Sequence, residues 1–270
     1  MPPLPPDTLP HRPTIAAIAV VVYAAGAVIH EGIGHGGACL VTGGRMAGMS
    51  GVHFQCDGGG AIPVSAGGTL MNIVAGLLLY AALRRTPAAR PHLRYALWLG
   101  MTVNLMQAAG YFLFSGALGI GDWAEVLTAF GGGGVARAAL ATAGAFAYPG
   151  VVSFAARTLG PFLPADRAAA RRVARALTMV PWIAGGLVSC LSGAFNPVGI
   201  VLVAISAAAA SFGGTSGLAW MPEIIGTPWA PLPTAGPSPP TLGRHNGWIA
   251  AGVMAAIVFV VVLGPGWPRP

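Results

Sequence analysis

The chain has 270 residues, of which 55% are apolar and only 8% charged, whereas a soluble domain carries roughly a quarter charged residues. That balance excludes an ordinary soluble domain and predicts an all-α, multi-pass membrane protein surrounded by lipid. The net charge of +7 rests entirely on arginine, and in such a chain arginine reports topology, so no nucleic-acid partner is expected.

Residues 1–13 are a Pro-rich tail without periodicity. A first apolar span runs from about Ile15 to Ala38. It is too long for a cleavable signal peptide and carries ionisable residues at its far end. Residues 43–60 are Gly-rich with short alternating pieces, which predicts a small β-hairpin or re-entrant element. Spans two and three cover about Pro63 to Leu83 and Leu93 to Ala117. A Gly-Asp-Trp break around Asp122 and a Gly-rich turn at 131–134 follow. Spans four, five and six are expected at about Ala136–Ala156, Ala176–Ala194 and Pro197–Trp220. A Pro-rich connector at 221–246 precedes a last span at Trp248–Leu263. Seven spans result, with six or eight open because 190–218 is weakly punctuated. The organisation reads as a tail (1–13), a core with the hairpin (14–135), accessory spans (136–220), the connector and a terminal span (247–270). No internal repeat is visible.

Arginines cluster after spans two and four, at 84–94 and 157–175, so these loops and the amino terminus are expected in the cytoplasm of an inner cell membrane. The far ends of spans one and three then share the opposite side. Cys39 and Cys56 bracket the hairpin on that side. They are expected to lie close together, as a pair or as two free thiols; Cys190 stands apart.

The chemistry gathers in His30-Glu31-Gly32-Ile33-Gly34-His35. Ionisable residues within a span are costly and mark functional sites. Two histidines beside a carboxylate suit a zinc hydrolase, imidazoles holding the metal and the carboxylate moving protons. The common motif places its histidines four apart. Five residues on a regular helix would separate them by about 140°. A π-bulge restores one face, and Gly32 and Gly34 permit it. A second ligand set stays open, Glu31 with His35, as does a helix end whose polar groups merely reach the interface. Catalytic zinc takes three protein ligands, and Asp122 is the expected third because its depth matches. Its alternative role is capping a helix over 123–130. Glu125 is a supporting or solvated group, and His53 and Asp57 are further candidates in the hairpin. His11, His92 and His245 read as interfacial. Asn72, Asn104 and Gln107 read as interhelical hydrogen bonders, with a substrate role open for Asn72 after the close-packing Gly67 and Gly68.

His30-Glu31…His35, the hairpin opening Gly43-Gly44-Arg45, and Ser65-Ala66-Gly67-Gly68-Thr69-Leu70-Met71-Asn72 together resemble the site-2-protease-like membrane zinc metallopeptidases. The resemblance covers about residues 20 to 125. It implies His30, His35 and Asp122 as zinc ligands, Glu31 as general base and Asn72 as the signature asparagine on the substrate. It also implies a membrane protein or peptide as substrate. An extended substrate segment would pair with the hairpin edge. Two other classes remain open: a non-catalytic metal-binding or scaffold subunit of a membrane complex, and an ion- or proton-coupled transporter. Oligomeric state is not legible.

Overall fold

A computed structural model describes residues 9–197, 199, 203–232 and 239–267. The long elements are helices. The first, α1, is a continuous rod over Arg12–Val41. His11 opens it by accepting from the Thr14 amide, and Pro13 stands in its first turn, where a missing N–H costs nothing. Its middle, Ile29–Gly36, is a π-helix, as the five-residue histidine spacing requires. The hairpin follows as β1 (Arg45–Met49) and β2 (Phe54–Asp57), antiparallel, with Met46 opposite Cys56 and a register shift before Gly48. Next come α2 (Ala61–Arg85), α3 (Pro91–Leu118), the short α4 (Asp122–Ala129), α5 (Gly134–Leu159) and α6 (Arg167–Ala194). A π-helical segment α7 (Val203–Gly213) and α8 (Gly217–Ile224) precede α9, the apolar helix Asn246–Val262.

Five helices among the described residues are long and apolar enough to cross a membrane: α1, α2, α3, the helix Gly134–Phe162 that contains α5, and α6. The expected count of seven is not confirmed among these residues. The sixth expected span is interrupted at Gly214–Ser216, where the Ser211 and Thr215 hydroxyls bond back onto backbone carbonyls and Gly214 N bonds Ala209 O. Part of that span, at 198 and 200–202, lies outside the described residues, as does 233–238 of the connector. The last expected span exists as α9 but has only 17 residues, at the lower limit for crossing about 30 Å of hydrocarbon. Helix α6 starts earlier than expected. Arg167, Arg171, Arg172 and Arg175, read as loop, lie in its first turns because Asp166 caps them, accepting from Ala169 N at 2.8 Å. Arg171 and Arg175 then reach Glu223 of α8.

Lipid provides no hydrophobic drive between helices, so close approach depends on small residues. A Cβ at Gly144 would stand 2.3 Å from Leu113 N, and one at Gly116 would stand 2.4 Å from Ala141 N, which locks α3 to α5. Buried polar tips tie the remaining helices together. Tyr95 Oη donates to Leu177 O at 2.7 Å, and Trp98 Nε1 to Ala155 O at 3.0 Å. Leu77, Leu78, Phe146, Leu187, Leu191 and Val253 are exposed on the outer faces, the surface a bilayer would cover. All described arginines except Arg45 and Arg137 gather at the end of the bundle where α1, α3 and α6 begin. The hairpin, the π-helix and Asp122 occupy the other half.

Candidate metal centre

Asp122 reaches the site by a tight reversal. Gly119 and Gly121 have φ of +70° and +83°, a region that side-chain-bearing residues avoid, and they turn the chain from the end of α3 into α4. Asp122 is thus the first residue of α4 instead of its expected cap, and Gly121 holds the cap position. Its carboxylate points back at α1. Asp122 Oδ2 lies 3.2 Å from His30 Nε2 and 3.5 Å from His35 Nε2, and the two Nε2 atoms are 3.2 Å apart. His30, His35 and Asp122 thereby form a group that could hold a metal ion.

The spacing fits tetrahedral zinc. Bonds of about 2.0–2.1 Å place tetrahedral donors about 3.3 Å apart, and the point equidistant from these three atoms lies about 1.9 Å from each. Asp122 Oδ2 is buried without a hydrogen-bond partner, although both imidazoles are near. A cation among the three would satisfy it.

Each imidazole is held from behind. His35 Nδ1 lies 2.6 Å from the Val64 carbonyl, so Nδ1 carries the proton and Nε2 keeps its lone pair toward the centre. The Asn72 amide nitrogen lies 3.1 Å from His30 Nδ1, while Asn72 Oδ1 is buried without a partner. Turning the amide over preserves its shape and lets Oδ1 accept from Nδ1–H. That orientation frees His30 Nε2 for a metal; the opposite one directs an Nε2 proton at Asp122. Tyr111 stacks on His30, centroids 4.9 Å apart and planes 19° from parallel. Gly34, Gly67 and Gly68 bring the π-helix against α2, and a Cβ at Gly68 would stand 2.6 Å from His35 Nε2.

Glu31 is buried beside His30 and lines a cavity of about 50 Å³ with Tyr23, Gln107, Tyr111 and Ser211, enough for one or two waters. It stands outside the His–His–Asp triangle, so the alternative pairing of Glu31 with His35 as ligands is not the one the fold assembles. Glu125 accepts from Ser65 Oγ at 2.7 Å and ties α4 to α2. His53 is exposed in the hairpin turn, and Asp57 pairs with Arg45 at 3.2 Å; neither joins the site. Cys39 and Cys56 are bonded, their Cα atoms 6.0 Å apart, and close a 17-residue separation. The Met49 end of the β1 edge is already paired. Met49 N donates to Trp267 O at 2.6 Å and Trp267 N to Met49 O at 2.7 Å, so the chain itself occupies that place.

Sequence reasoning missed the partners of the histidines. Val64 acts through its backbone, which no side-chain pattern announces. Tyr111 carried a legible signal, because it stands near the same end of the same span that made Asp122 a candidate. No family model, curated protein or solved structure matches the chain.

Proposed function

We propose that this protein is a membrane-embedded, zinc-dependent hydrolase, of the chemical type that the resemblance to site-2-protease-like peptidases implies. The observation that carries the reading is the convergence of His30, His35 and Asp122 to a triangle of 3.2, 3.2 and 3.5 Å, with Glu31 on an adjoining water-sized cavity. Zinc held there would supply Lewis acidity and lower the pKa of a bound water to about 7. His30, His35 and Asp122 supply the ligands, Val64 and Asn72 orient the imidazoles, and Glu31 accepts the proton from water and returns it to the leaving group. The glycine contact between α1 and α2 covers the centre, and His30, Glu31 and His35 are buried.

The arginine-rich end faces the cytoplasm in this reading. The Cys39–Cys56 bond supports that orientation independently, because disulfides persist in oxidising compartments and this one lies beside the site at the far end. The centre then opens toward the outer leaflet.

Metal analysis of purified protein tests the reading. One zinc per chain is expected in the wild type and in Glu31→Gln, with at least a 100-fold loss of affinity in His35→Ala and Asp122→Ala. Metal retained in Glu31→Gln with turnover lost marks an enzyme. No turnover in either marks a metal-binding subunit. No metal in the wild type removes the proposal.

A further inference from the structure

We infer that the substrate at this centre is a single-chain amphiphile, with its hydrocarbon chain in a chamber that runs from the bilayer to Glu31. The chamber has a volume of about 330 Å³ and lies between α3, α5 and α7. Its walls are mainly apolar or small: Gly110, Leu113, Phe114, Ala209, Ala210 and Gly213. Its mouth is at Ala117, Leu118 and Gly213, all exposed. A bilayer around α3 would bring acyl chains to that apolar rim.

The inner end is different. Gln107, Tyr111 and Ala210 line both this chamber and the small cavity that contains His30 and Glu31, so the two spaces adjoin. The chamber's other phenol, Tyr148, is committed to Gly214 O, Ser216 Oγ and Gly217 N. Gln107 and Tyr111 have no side-chain hydrogen bond among the described residues, which leaves an amide and a phenol free at the throat. An apolar tube ending in unpaired donors beside a metal site fits a molecule with a greasy tail and a carbonyl head.

Size decides against a transmembrane helix. A helix with its side chains is 10–12 Å across, and 330 Å³ is at the small end of ligand pockets. The Met49 end of the β1 edge, where an extended peptide would pair next to the π-helix, is taken by Trp267. The chemistry rests on the hydrolase reading above; the binding of the chain does not. In the reaction, the oxygen of water bonds to the acyl carbon and the C–O or C–N bond of the head breaks. The proton taken by Glu31 goes to the departing alcohol or amine; the second proton of water stays on the fatty acid until it ionises, to solvent for an ester or onto the amine for an amide.

Photocrosslinking in nanodiscs tests the inference, using a monoacylglycerol with a terminal diazirine on its acyl chain. Crosslinks are expected on 110–118 and 209–216, competed by unlabelled monoacylglycerol. They should fall at least ten-fold in Ala210→Phe and in Ala117→Trp, whose exposed position tolerates bulk, with zinc content unchanged. His35→Ala should lose metal yet keep the crosslinks, which separates this inference from the metal reading. Labelling spread over lipid-facing Phe146 and Leu187, indifference to both bulky variants, or competition only by an apolar peptide would each overturn it. Crosslinking retained with no release of glycerol by the wild type would overturn the amphiphile as substrate, while the hydrolase reading stands or falls on the Glu31→Gln comparison above.

Discussion

The ring of His35 is fixed by the carbonyl of Val64, 2.6 Å from Nδ1, and that one bond decides which nitrogen faces Asp122. A backbone acceptor cannot be removed by a side-chain substitution. The lone pair on Nε2 is therefore held toward the centre as long as α2 stays against the π-helix. Gly34, Gly67 and Gly68 keep it there.

Gly68→Ala should abolish metal binding while the protein still folds. The added methyl would lie 2.6 Å from His35 Nε2 and 2.7 Å from His30 Nε2, in the space a ligated ion needs. Gly37→Ala, on the same rod as the π-helix, meets nothing within 4 Å and should bind zinc like the wild type. Isothermal titration of both variants provides the comparison, and tight binding by Gly68→Ala would contradict the geometry.

Asn72→Ala should weaken zinc by about 10–100-fold, the usual cost of losing the group behind a ligating imidazole. His30 would then choose its tautomer freely. The readout specific to positioning is rescue: Asn72→Asp, which keeps an acceptor for Nδ1–H of His30, should recover most of the lost affinity. A loss of folding instead, seen as aggregation on size exclusion, would assign Asn72 a packing role.

Topology has a direct measurement. Cysteines introduced at exposed Ala88 and Ala165 should resist a membrane-impermeant maleimide added to intact cells. After reduction, Cys56 should label from outside. A bridge closing a loop of this length stabilises by about 3 kcal/mol, so reduction should also lower the thermal midpoint. Labelling at Ala88 without permeabilisation reverses the orientation.

Glu223 gives a pH prediction far from the centre. Its hydrogen bond from Arg175, first, and the nearby Arg171 hold its carboxyl below the ordinary carboxylate value. A lowered folded-state value contributes stability above the unfolded value of about 4.3, lost as pH falls through the folded one. Glu223→Gln should therefore melt below the wild type at pH 7, and the gap should close as pH falls through the folded-state value. The group is exposed, so the difference should be small and should shrink further in 0.5 M salt. Equal melting at pH 7 and low salt would show that the ion pairs between α6 and α8 contribute nothing.

The sequence by itself determined the helices long and apolar enough to cross a membrane, the hairpin, the π-bulged motif and the choice of Asp122. These rest on local rules: apolar runs long enough to cross hydrocarbon, glycine that tolerates an i to i+5 turn, and the cost of placing charge in a span. It left the span count and the helix bounds open, because composition does not reveal the turn at Gly214–Ser216 or that Asp166 extends α6 through four arginines. Only the tertiary structure decided what stands behind each histidine, that Trp267 pairs with Met49, and that an apolar chamber meets the centre at Gln107 and Tyr111. Those are contacts between residues tens to hundreds of positions apart. In lipid, packing at small residues sets which helix faces meet, and a side-chain pattern read along one helix carries no record of its neighbour.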